Sequence, residues 1–252
     1  MEIRGTTAVV TGAASGLGAA TAAHLAALGA HVIGFDLEAS LPKQRVRDGV
    51  SLVPVDVTDP AAIEIGLDAA EALAAPLRIA VNCAGIAPSA RILSKRGPHD
   101  LDLYARVIEI NLIGTFNVLT LAAERIARTE ASVDGQRGVI INTASIAGYE
   151  GQIGQAAYAS SKAGVIGLTI AAARDLAQHG IRVNTIAPGV MATPMLATVS
   201  DEYRDALAAG VPFPHRLGQP SEYARLAAFI AEHDYLNGEV IRMDGALRMA
   251  PR

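Results

Sequence analysis

Tyr158 and Lys162 stand four residues apart in AAYASSKAG, and Ser145 lies 13 residues before Tyr158 in INTASIAG. These three side-chain types fit one chemical task. A free phenol, with a pKa of about 10, is a poor acid or base at neutral pH. On a helix, residues i and i+4 share a face, so a Lys162 ammonium can stand beside the Tyr158 phenol and favour phenolate. A Ser145 hydroxyl can hold a carbonyl or hydroxyl oxygen. Together the three can move a proton on and off an oxygen while a hydride moves on the adjacent carbon. The Tyr/Lys spacing alone also fits an ordinary pair on a helical face. Its meaning rests on what the rest of the chain supplies.

Short β-branched runs alternate with Ala-rich stretches of helical period. Strands are expected at 6–11, 31–36, 51–55, 79–82, 138–143, 182–186 and 239–242. This alternation predicts an α/β fold, a single Rossmann-type doubly wound parallel sheet with helices on both faces. No repeat, linker or shift in composition marks a second domain, so residues 1–252 are expected to form one domain. Residues 190–215 differ from the rest: they hold Pro194, Pro212 and Pro214 among the apolar Met191, Met195, Leu196, Val199, Leu207 and Phe213. They predict a loop with a short helix, long enough to be a lid. Its apolar side chains either cover an apolar substrate or simply pack the loop.

Composition narrows the function classes. Hydrophobic residues make up 51% and charged residues 18%, which suits a large core and argues against disorder. A net charge of −4 without a long basic run gives no reason to expect nucleic acid as a partner. The single cysteine, Cys83, allows no internal disulfide and fits a reducing compartment. No apolar run approaches the ~20 residues of a membrane span, and the first strand begins almost at the N-terminus, leaving no room for a targeting segment. A soluble cytoplasmic protein is expected, with no membrane partner. No His/Cys/Asp/Glu spacing suggests a metal.

The first strand runs into Thr11-Gly12-Ala13-Ala14-Ser15-Gly16-Leu17-Gly18 and then a helical stretch. Glycines there allow a tight turn and close approach of backbone to a diphosphate, and the following helix offers free N–H groups and its positive end. Asp36 ends the second strand, 18 residues past Gly18. Its carboxylate can accept hydrogen bonds from an adenosine ribose and would repel a 2′-phosphate. It could equally serve a turn at the strand end. Neither its neighbour Leu37 nor Ser15 offers a cation, so NAD is favoured over NADP. In Asp56-Val57-Thr58, Asp56 could meet the adenine amino group, or Asp56, Thr58 or Asp59 could cap the next helix. The small residues of Asn82-Cys83-Ala84-Gly85 let a ribose or nicotinamide pass close to the backbone. Cys83 itself fits a small buried apolar group better than a nucleophile.

In this order, the Gly12/Gly16/Gly18 turn, Asp56-Val57-Thr58, Asn82-Cys83-Ala84-Gly85, Asn111 in NLIGTF, Ser145, Tyr158/Lys162, and Pro188-Gly189 with Thr193 resemble the short-chain dehydrogenase/reductase family. Many members carry a second Asn where this chain has Cys83. The resemblance implies that Tyr158 is the acid/base and that Lys162 lowers its pKa and holds the nicotinamide ribose. Ser145 would orient the substrate oxygen, and Asn111 would link Lys162 to solvent through a water. Pro188, Gly189 and Thr193 would cover the nicotinamide carboxamide. The segments VNCAGIA, GYEGQIGQAAYASSKAG, VPFPHRLG and LNGEVIRMDGALRM are similar to the type-2 3-hydroxyacyl-CoA dehydrogenase branch of that family. That likeness implies NAD-dependent interconversion of 3-hydroxyacyl-CoA and 3-oxoacyl-CoA, and a homotetramer. A carrier-protein 3-oxoacyl reductase and a hydroxysteroid dehydrogenase are the enzymatic alternatives; Asp36 speaks against the first, which usually uses NADPH. A dinucleotide sensor or scaffold is the alternative without catalysis.

On the substrate side, Gln152 and Gln155 precede Tyr158 and are candidates to face the substrate, with Ser145, Met191, Met195 and Leu196. Arg91, Lys95, Arg96 and His99 form a local basic excess after the fourth strand. They either bind CoA phosphates or form a solvated loop. Gly164 and Gly167 interrupt the helix of Tyr158, and close packing between subunits would compensate for their cost.

Overall fold

The central strands carry no in–out alternation, because every residue of Thr7–Thr11, Gly138–Thr143 and Ile181–Pro188 is buried. Strands with both faces covered by helices read this way. The computed structural model describes residues 1–42, 46, 47, 49–132, 134–196 and 200–251. Its strands are β1 (Thr7–Thr11), β2 (His31–Asp36), β3 (Val46–Arg47), β4 (Val50–Pro54), β5 (Leu77–Asn82), β6 (Leu93–Ser94), β7 (Gly97–Pro98), β8 (Gly138–Thr143), β9 (Ile181–Pro188) and β10 (Val240–Met243). Its helices are α1 (Gly16–Ala27), α2 (Pro60–Glu71), α3 (Leu101–Ile108), α4 (Gly114–Ala127), α5 (Ala156–Leu176), α6 (Asp201–Ala209) and α7 (Pro220–Glu232).

The main sheet has the order β10-β9-β8-β5-β1-β2-β4-β3. Its pairings are parallel except for the short β3, which runs antiparallel to β4. The expected strands are all present, with ends moved by up to two residues. The chain builds outward from β1 through β2 and β4, then returns to β5 on the other side of β1. Such a reversal opens a crevice at the carboxyl ends of the strands. One core, with Val10, Leu25 and Tyr223, joins the sheet to α1 and α7. The other, with Phe35, Leu67, Val118 and Val183, joins it to α2, α4 and α5.

Helix α3, a π-turn at Glu109–Ile113 and α4 follow without a break. The resulting stretch Leu101–Ala127 is long and apolar enough, by length and composition, to cross a membrane, a feature the sequence reading did not anticipate. Packing accounts for its apolar face: Val118, Leu119, Ala122 and Ile126 are buried in the second core. Asn111 lies in the π-turn rather than in regular helix. Gly164 does its packing within the chain, since a Cβ there would meet Leu112 Cδ2 at 2.6 Å, whereas Gly167 faces open space.

The expected lid divides into a bridge between Met191 and Gly218, a short turn at Pro194–Leu196, and α6. Val199 lies outside the described residues. At the opposite end of β9, Arg182 anchors the end of α7. It is 5% exposed and donates to the carbonyls of Ile230 (2.9 Å), Ala231 (2.7 Å) and Leu236 (3.0 Å). The Ile230 and Ala231 carbonyls are ones the end of α7 leaves unpaired, and Leu236 lies in the turn beyond it. Replacing the arginine by methionine, Arg182→Met, keeps bulk but strands those acceptors. A loss of about 1–3 kcal/mol is expected in urea unfolding, and an unchanged midpoint and slope would contradict this role.

Candidate active site

At the crevice, the Thr11 hydroxyl accepts the N–H groups of Cys83 and Ala84, both at 3.0 Å, and so ties the end of β1 to that of β5. Gly12 follows with φ 66°, and a Cβ on it would stand 3.0 Å from the Ala84 nitrogen. A Cβ on Gly18 would lie 2.2 Å from the Gly12 carbonyl oxygen, so only glycine lets α1 start this close to the turn. Ser15 precedes α1 without a side-chain cap bond, and the first turn carries no acidic residue. The helix's free N–H groups and positive end are therefore left for an anion.

Asp36 serves the turn at the end of β2. Its carboxylate accepts from Ala14 N–H (2.9 Å) and Leu37 N–H (2.8 Å), bracing the glycine turn, and it also lines the cleft. At the next loop, Asp59 is the cap of α2, accepting from Ala61 N–H at 2.9 Å. Asp56 instead accepts the N–H and hydroxyl of Thr58, at 2.9 and 2.8 Å, and stays at the cleft with Val57.

The chemistry-bearing residues meet where β8 faces α5. Ser145 Oγ accepts from Ala147 N–H at 3.1 Å, which leaves its own proton available for donation beside the Tyr158 phenol. Lys162 is 4% exposed, donates to the Thr143 carbonyl at 2.8 Å, and lies 5.8 Å from the centre of the Tyr158 ring. Burial lowers its pKa to about 8. Burial also raises the pKa of Tyr158, partly opposed by the Ser145 hydrogen bond. In this site desolvation is the larger influence on the phenol, and the lysine itself is desolvated.

Asn111 is buried and does not line the cleft. Its side-chain oxygen accepts from Ile86 N–H (2.8 Å), and its amide donates to the Ile86 carbonyl (2.9 Å) and Ser161 Oγ (3.0 Å). Ser161 Oγ donates in turn to the Tyr158 carbonyl at 2.8 Å. Asn111 thus braces the loop after β5 against α5. Asn82 is likewise buried beneath the cleft, donating to Asn142 Oδ1 at 2.9 Å. Burial raises the Cys83 thiol pKa, and its sulfur lies 3.7 Å from the Tyr223 hydroxyl, consistent with a packed rather than a nucleophilic thiol.

A cleft of about 500 Å³ gathers the remaining expected residues. Gly12, Ser15, Gly16, Leu17, Gly18, Asp36, Leu37, Asp56, Val57, Ala84 and Gly85 line it at the nucleotide turns. Ser145, Gln155, Tyr158, Lys162, Pro188, Gly189, Met191, Thr193, Met195 and Leu196 line it beyond them. Gln152 and the lid's Leu207 also reach it, but Phe213 does not and is exposed. Gln155 Oε1 is buried without a hydrogen-bond partner among the described residues, an acceptor open to a ligand. Arg91, Lys95, Arg96 and His99 lie on and around the β6–β7 hairpin, and none of them lines the cleft. Arg106, Ile110 and Met249 do line it and were not foreseen. The i, i+4 spacing of Arg106 and Ile110, continuing to Gly114 against Val57, was the available signal for the first two.

The family model for short chain dehydrogenase matches residues 6–204. The chain is 50% identical to a Drosophila melanogaster 3-hydroxyacyl-CoA dehydrogenase type-2, over 99% of this chain and 100% of the relative. It is 48% identical to the Bos taurus protein of that name, over 99% of this chain and 98% of the relative. A crystal structure of 3-hydroxyacyl-CoA dehydrogenase type-2 from Mycobacterium avium superposes with a TM-score of 0.94 at 47% identity, covering 98% of each chain.

The buried lysine has a consequence for stability. Folded, Lys162 releases its proton near pH 8; unfolded, it holds the proton to about pH 10.4. Between those values the unfolded chain binds more protons, so stability is gained as pH rises through this window and lost as it falls. The urea midpoint of the unaltered chain, taken relative to Lys162→Met, is expected to rise from about pH 8 to about pH 10. A flat difference would contradict the desolvated ammonium.

Proposed function

Because this chain belongs to the short-chain dehydrogenase/reductase family and is an oxidoreductase, we propose that it interconverts 3-hydroxyacyl-CoA and 3-oxoacyl-CoA with NAD. The observation that carries the chemistry is the meeting of Ser145, Tyr158 and Lys162 at one end of a cleft whose other end holds the glycine turn and Asp36. The thioester substrate is supported by full-length likeness to relatives named for that activity. The turn fits a dinucleotide: Gly12 and Gly18 leave no room for side chains, and α1 presents its positive end. The Asp36 charge disfavours a 2′-phosphate and so supports NAD over NADP.

Bound nicotinamide dinucleotide supplies the hydride acceptor in oxidation and the donor in reduction. The chain's own part is proton transfer and orientation. In oxidation, Ser145 donates a hydrogen bond to the substrate oxygen while the Tyr158 phenolate takes the hydroxyl proton. In reduction, the Tyr158 phenol gives that proton back to the carbonyl oxygen. A protonated Lys162 favours the phenolate once the site is charged for reaction. Asn111 keeps α5 in register with the loop after β5. A cytoplasmic location fits the unpaired Cys83. A homotetramer is supported by the exposed apolar Phe116 and Ile170 on α4 and α5.

Tyr158→Phe tests this reading. Reduction of acetoacetyl-CoA with NADH is expected to fall by about 10³-fold or more, with NADH affinity within about twofold of the unaltered enzyme. Turnover retained by the variant would remove the mechanism.

A further inference from the structure

After β10 the chain doubles back over the loop that leads into α5. Asp244 starts the reversal: its Oδ1 accepts from Ala246 N–H and its carbonyl from Leu247 N–H, each at 3.0 Å. Ala246 adopts a left-handed φ of 66°, which a residue with a Cβ holds only when its surroundings fix it. Glu150 grips the returning tail. Its carboxylate takes both terminal nitrogens of Arg242, at 2.9 and 3.1 Å, and the N–H of Met249 at 3.1 Å. Arg242 also donates to Asp244 at 2.8 Å and lies over the Tyr149 ring at 5.1 Å. Arg248 bridges Asp244 at 3.1 Å and Glu150 at 3.5 Å. Beyond them, Gln152 Nε2 donates to the Ala250 carbonyl (2.9 Å), and Ile153 N–H to that of Pro251 (3.1 Å).

Chain ends fray unless something ties them down. Here a bidentate arginine–carboxylate pair, a rigid planar contact, is joined by two further charges of opposite sign. Arg242 holds the Glu150 carboxyl below its ordinary range, so the pair stays charged at neutral pH. The outcome is that half-buried Met249 lines the same cleft as Gln152, Gln155 and Tyr158. A thioether is an adaptable apolar surface.

Resting on the thioester reading above, we propose that Met249 is a specificity-determining residue that walls the acyl end of the cleft. Glu150 and Arg242 are the positioning residues that latch it there. Selection by acyl length then depends on an ion pair formed between residues 92 positions apart in the chain.

The test compares kcat/KM for 3-oxoacyl-CoA thioesters of increasing chain length in the unaltered enzyme, Met249→Ala and Glu150→Gln, with NADH affinity measured alongside. Removing the wall, or releasing it, should shift the ratio of long-chain to short-chain kcat/KM upward by about 10-fold, carried by KM, with NADH affinity unchanged. Arg242→Lys, which keeps the charge but loses the fork, should fall between. A ratio unmoved in both Met249→Ala and Glu150→Gln overturns the proposal. Carboxypeptidase trimming provides a readout independent of substrate: the tail of Glu150→Gln should be clipped faster than the unaltered tail. If the unaltered enzyme turns over no thioester, the substrate reading fails by itself. Equal clipping rates would then overturn the latch.

Discussion

The site is organised around the hydrogen bond from the buried Lys162 ammonium to the Thr143 carbonyl at the end of β8. Taking an ammonium out of water is expensive unless polar groups meet it. The chain clears the space this requires. A Cβ on Gly85 would stand 3.6 Å from Lys162 Nζ and 3.0 Å from Asn111 Oδ1, and one on Gly148 would press on the Lys162 backbone at 3.0 Å. Asn111 then closes the arrangement, holding both backbone groups of Ile86 and the hydroxyl of Ser161. Helix α5, strand β8 and the loop after β5 are therefore fixed as one unit, and Tyr158 is fixed with them.

The sheet places this unit opposite the nucleotide turn. Strand order reverses between β5 and β1, and the Thr11 hydroxyl joins the two strands across that reversal. The glycine turn and Asp36 lie on the β1–β2 side, and Ser145 and Tyr158 on the side reached through β5 and β8. The two halves consequently meet in one continuous cleft. Asp36 braces backbone N–H groups with its two oxygens at the edge of the cleft, where the proposed choice between cofactors would be made.

Features set by local geometry were legible in the sequence. Tyr158 and Lys162 share one helical period, and glycines at 12 and 18 answer to a turn too tight for side chains. What depended on distant packing was not. The π-turn at Asn111 belongs to a helix that settles against Val57 and Leu112's neighbour Gly164, and residue spacing does not announce it. Met249 reaches the cleft in a tail that folds back onto Glu150 from the far end of the chain. The basic residues near Arg91 were visible as a charge excess, yet charge carries no information about direction, and the β6–β7 hairpin holds them away from the cleft. Spacing likewise reveals the cation beside the Tyr158 phenol but not the burial that acts on both groups.

The measurement that tests the account most directly is the initial rate of acetoacetyl-CoA reduction with NADH against NADPH, beside a 3-oxoacyl carrier-protein substrate. The account predicts fast, NADH-dependent turnover of the CoA thioester and poor use of both NADPH and the carrier protein. Preference for NADPH and the carrier protein would contradict it, and would show that the Asp36 carboxylate does not select the cofactor.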